Sequence, residues 1–126
     1  MSDSQGRGHA AAARLQAAAE EMLTEVHRLP AELLTWQPAP DVWSVMDILC
    51  HVEEFVPYWT RQATAAIQHP DVAWGRDHTD KDRLAAVTGT ATRALADVER
   101  NIRASVRESA DVLRRMSDAS LDIEAP

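Results

Sequence analysis

The residues best placed to do chemistry form one row: Asp47, His51, Glu54, Tyr58 and Arg61. At about 100° per residue they fall within roughly 80° of arc on a helix. A neutral imidazole with a carboxylate one turn away can hold a divalent ion or pass a proton. His51 and Glu54 are therefore the candidate metal ligands. The same spacing also makes an ordinary helix-edge row, with Glu54 paired to Tyr58 or Arg61. Spacing alone leaves both readings open.

The other histidines, His9, His27, His69 and His78, form no pair at the i, i+3 or i, i+4 spacing of a helical zinc site. His69 and His78 bracket a loop without a third ligand nearby and read as solvated. Cys50 adjoins His51, but consecutive helical residues do not share a face, so a Cys–His nucleophile pair is not expected. A single cysteine excludes an internal disulfide and a cysteine-rich zinc site. Neither a P-loop nor a dinucleotide-type glycine loop is present.

A helix has to carry that row. Ser44 is a good N-cap, and Asp47 stands at capping-box spacing from it. From there Ile48, Val52, Phe55, Trp59, Ala63 and Ala66 make an apolar stripe ending near Gln68, with a kink expected at Pro57. An earlier helix is expected over about residues 9–28, from the stripe Leu15, Ala19, Met22, Val26 and Leu29, with Pro30 ending it. The connector 30–43 contains Pro30, Pro38 and Pro40 and is expected to be clamped on the helices by Trp36 and Trp43. After a loop over 70–80, a third helix capped by Thr79 or Asp80 is expected to run to about Met116. Thirty-odd residues span roughly 50 Å, so that helix bends, breaks near Gly89 or projects into a partner.

The chain has 126 residues and a formal net charge of −7, and 22 residues are alanine. That length suits one domain: a disordered lead over 1–8, a helical domain over 9–121 and a tail over 122–126. Helix-favouring alanine and few β-branched runs point to an all-α bundle. The acidic balance argues against nucleic acid and anionic membrane as partners. No run reaches the roughly 18 apolar residues that span a bilayer, and the start shows no secretory h-region. A cytoplasmic location is the expectation.

The stretch 33–54, LLTWQPAPDVWSVMDILCHVEE, resembles the DinB/YfiT-like family. Trp43-Ser44 opens the family's helix-two motif, and Leu49-Cys50-His51-Val52-Glu53-Glu54 closes it, with Cys50 where glycine is common. The likeness covers about residues 9–121. It implies a four-helix bundle carrying a divalent metal such as nickel, zinc or iron. The implied ligands are a helix-two histidine, matched by His51, and an H-x-x-x-H pair on a final helix. Relatives look like transferases or isomerases that use small thiols such as bacillithiol, mycothiol or glutathione. No H-x-x-x-H pair occurs in this sequence. Three explanations follow: a degenerate member, a homodimer in which each copy's third helix replaces the missing one, or a piece of a longer protein.

The expected fold is thus an all-α, DinB-like up-down bundle of three main helices, lacking the family's fourth and completed by dimerisation. Two functions are carried forward. One is a binding and dimerisation module with a degenerate metal site, open to a small molecule or thiol. The other is a divalent-metal-dependent thiol-transferase or hydrolase, using His51 with ligands from a partner chain.

Overall fold

The computed structural model describes residues 5–123. Their regular structure is entirely helical: α1 Gly6–His27, α2 Val45–Gln68, α3 Lys81–Ala86 and α4 Leu95–Arg114, with 3₁₀ turns at Ala31–Leu33, Thr90–Thr92 and Ser120–Asp122. Three of these helices are long, as the stripes predict.

Ser44 caps α2 as its sequence predicts. The Ser44 N–H donates to Asp47 Oδ2 at 2.9 Å, and the Asp47 N–H donates to Ser44 Oγ at 3.1 Å. The cap does a second job: Thr90 donates its hydroxyl to the other Asp47 oxygen. Asp47 is thereby buried and belongs to the scaffold, not to an open chemical row.

The third helix breaks. Gly89 takes a φ of +68°, a left-handed conformation that glycine adopts without steric cost. It divides the expected 81–116 helix into α3 and α4. The Thr90–Thr92 turn lies between them, drawn down onto α2 through Asp47.

The crossover between α2 and α4 fixes the direction of the bundle. Glu53 meets Arg93 and Asn101, while Thr60 meets Ser109, so α2 and α4 run the same way. His27 meets Glu99 and Gln16 meets Arg114, so α1 runs opposite to α4. The strict up-down alternation expected from sequence is therefore absent between α2 and α4. The α3 segment returns the chain to the end at which α2 began.

Leu23, Val26, Leu34, Met46, Leu49, Cys50, Val98, Ile102 and Val106 form the core. On α2 the buried face is Met46, Leu49 and Cys50, flanked by Val45, Val52 and Val56. It is rotated by about a quarter turn from the stripe read in the sequence. Ile48 and Phe55 of that stripe are exposed. In the connector Leu34 is buried and its carbonyl accepts from the Met46 N–H at 2.8 Å. Trp36 is 60% exposed and clamps nothing, because three helices provide no further layer to receive it.

The ends of the domain are tighter than expected. Gly6–Gly8 are the first turn of α1 and not a disordered lead. Gly8 is buried, and a β-carbon there would collide with the Leu113 carbonyl oxygen of α4. Arg7 pairs with Asp122 at 2.8 Å, in the segment expected to be tail. The remainder of the lead (1–4) and of the tail (124–126) lies outside the described residues.

Candidate binding cleft at His51

α2 carries His51 on the flank away from its buried face. The ring lies between Trp43, with centroids 5.2 Å apart, and Phe55, at 5.1 Å. Phe55 continues to Trp59 at 6.0 Å, and Trp59 meets Trp74 edge-on at 5.6 Å. An aromatic row thus runs along this side of α2, through the residues that the sequence pattern assigned to the core.

The loop after α2 forms the opposite wall. Gly75 holds it close: its φ is +95°, its N–H donates to Gln62 Oε1 at 2.8 Å, and a β-carbon there would stand 3.2 Å from the Trp59 ring. Arg76 then turns inward. Its guanidinium grips both oxygens of Glu54, stacks 3.7 Å over the Tyr58 ring and reaches Asp80. The Arg76 side chain is only 6% exposed. With the loop so held, His51, Phe55, Trp59, Arg76, Asp77, His78 and Arg83 enclose a cleft of about 240 Å³.

The electrostatics of the cleft follow from these contacts. His51 is held below its ordinary value of 6.5, first by burial and then by the positive charge of Arg83; Glu54 opposes them and Arg76 adds to them. Asp77 is committed to Thr79, accepting from both its N–H and its hydroxyl. Arg83 donates to the His78 carbonyl and lies 5.9 Å from the Trp43 ring centroid. His51 Nδ1 is buried and has no hydrogen-bond partner. An unpaired buried polar atom is costly, and this enclosed nitrogen belongs to the burial that disfavours the charged ring.

The residues proposed from spacing separate here. Glu54 is engaged by Arg76 and Tyr58 stacks on that same guanidinium, while Asp47 caps α2. Arg61 points elsewhere, lining a different cleft against α4. Arg76, Asp77 and Arg83 were not singled out from the sequence, and His78, read there as a solvated loop histidine, lines the cleft. Arg76 stands 22 positions from Glu54, and no helical spacing could bring them together.

The donor set does not fit a metal on its own. Among the described residues no three His, Cys, Asp or Glu side chains come together in a way that could hold an ion. Catalytic and structural zinc sites take at least three protein ligands. The cleft is lined by two imidazoles, His51 and His78, but Arg76 occupies both oxygens of Glu54 and Asp77 is committed to Thr79.

No helix of the described residues is long and apolar enough to cross a membrane. No curated protein and no solved structure matches the chain. Residues 14–126 match the family model of the DinB superfamily, spanning both the Trp-Ser cap and the His51 helix, and the chain belongs to that superfamily.

Proposed function

We propose that this DinB-superfamily domain is a binding and dimerisation module whose ligand cleft is centred on His51 and whose metal site is degenerate. One observation carries the reading: Arg76 captures Glu54 and Thr79 engages Asp77, so the imidazoles of the cleft stand among aromatic rings and arginines without an uncommitted carboxylate. Such a site suits a small organic molecule or thiol with one polar group for His51 and an apolar body for Phe55 and Trp59. A second copy is the proposed protein partner. It would cover the apolar groove of about 210 Å³ lined by Leu15, Phe55, Val56, Trp59, Leu113 and Met116, among others. The outward side of α4 is less suited, since Ala96, Arg100, Ala104 and Arg107 line it.

The placing of His51 and His78 on one cleft also supports a second reading. In it His51 is one ligand of a divalent nickel, zinc or iron ion, a partner chain supplies the others, and the domain is a thiol-transferase or hydrolase.

Replacing His51 tests the first reading. His51→Gln is expected to remain folded and to sediment as the wild type does. Its pH dependence is expected to differ. The folded value of His51 lies below the unfolded one, so its contribution is complete above about pH 6.5 and is lost as pH falls through the folded value. Wild-type stability should therefore drop below about pH 6.5, and the His51→Gln curve should be flatter there. Urea unfolding across that range measures it. Loss of association in His51→Gln would favour the second reading, in which the imidazole joins the copies through a shared ion.

A further inference from the structure

A second cleft lies on the other side of α2, where it runs parallel to α4 beyond Pro57. Its volume is about 320 Å³. Seven polar side chains bear on it: Thr60, Arg61, Thr64 and Gln68 from α2, and Ser105, Glu108 and Ser109 from α4. Pro57, Ala65 and Val112 supply its apolar surface. None of these residues takes part in the His51 cleft.

The hydroxyls are polarised in one direction. Thr60 donates its proton to the Val56 carbonyl at 2.8 Å, so in the 2.7 Å contact between Thr60 and Ser109 the donor is Ser109. Thr64 donates to the Thr60 carbonyl at 3.0 Å. Ser109 and Thr64 have thus committed their protons within the protein and have only lone pairs left to offer a ligand. Ser109 is 3% exposed, so its oxygen forms part of the floor.

The charges complement that pattern. Glu108 on α4 and Arg61 on α2 have opposite signs, and neither has a hydrogen-bond or ion-pair partner among the described residues. They line the same cleft from different helices without forming an ion pair with one another. Acceptor oxygens beside an unpaired carboxylate suit an ammonium group with three protons to give. An unpaired guanidinium suits a carboxylate.

We propose that this cleft binds a small zwitterion, a free α-amino acid. Its ammonium meets Glu108 with the Ser109 and Thr64 oxygens, its carboxylate meets Arg61, and its side chain lies over Pro57, Ala65 and Val112.

Titration of the isotope-labelled full chain with a panel of free amino acids tests this by NMR, with n-butylamine and butyrate as single-charge probes. At least one amino acid is expected to give saturable shifts confined to residues 57–68 and 105–112, while neither single-charge probe saturates. Glu108→Gln and Arg61→Ala should each weaken that binding by about tenfold or more. Both are surface positions, and an unchanged circular dichroism spectrum confirms the fold. His51→Gln should bind as the wild type does. The proposal is overturned if no amino acid saturates into the millimolar range, if both charge variants bind unchanged, or if His51→Gln abolishes binding. It is also overturned if a double-mutant cycle without ligand shows Arg61 and Glu108 paired with each other.

Discussion

Arg76→Ala is expected to lower folding stability by about 3 kcal/mol, the scale for breaking a largely buried ion pair by removing one partner. The guanidinium is 6% exposed and the Glu54 carboxylate 23%. Deleting the cation leaves that carboxylate without its counterion and strips the stack from Tyr58. The loss should concentrate in the cleft, because Arg76 is what turns the post-α2 loop inward. Amide exchange is expected to quicken through residues 72–80, while α1 and the Leu23–Ile102 core stay protected. Arg76→Lys should recover only part of the loss, since an ammonium can neither grip both oxygens nor stack as a plane. A urea-unfolding loss under about 1 kcal/mol would class the contact as an ordinary surface bridge and remove the reason for Glu54 being engaged.

Asp47→Ala carries the next largest expectation, about 2–3 kcal/mol. About 1 kcal/mol comes from losing the N-cap partner of Ser44, and the remainder from leaving the buried Thr90 hydroxyl without an acceptor. Its pH dependence has a definite sign. Burial pushes Asp47 up, but hydrogen bonds from Thr90 and Ser44 outweigh it and hold the carboxyl below its ordinary 3.8. Its contribution is therefore complete above that ordinary value and is lost as pH falls through the lower, folded one. Wild-type and Asp47→Ala stabilities should converge below about pH 4, as measured by urea unfolding across the acid range. A constant gap down to pH 2 would mean that the carboxylate charge contributes nothing.

The local signals in this sequence were the dependable ones. Ser44 and Asp47 announce the start of α2 because a capping box involves only neighbouring residues. Pro30 and Gly89 mark where helices stop because their backbone preferences are intrinsic. The face of α2 was harder to read. Ile48, Phe55 and Trp59 have the spacing of a core stripe, yet the chain buries Met46, Leu49 and Cys50 and leaves an aromatic row beside the cleft. Periodicity identifies a helix with an apolar side, but two apolar stripes about a quarter turn apart both satisfy it, and tertiary packing chooses between them. The candidate site was half legible for the same reason. His51 stood out by type and position. The arginine that decides what Glu54 does comes from a loop, where spacing carries no information about contact.

Capture of Glu54 by Arg76 leaves the cleft two imidazoles, His51 and His78, where a metal centre needs at least three ligands. The direct test is the metal content per chain, by elemental mass spectrometry, of untagged protein purified without chelator. The expected result is no nickel, zinc or iron near stoichiometry, and none retained after the ions are added and the protein desalted. About one ion per chain, or one per two chains, would contradict the degenerate-site reading. It would mean that His51 is completed as a metal centre by ligands from a second copy.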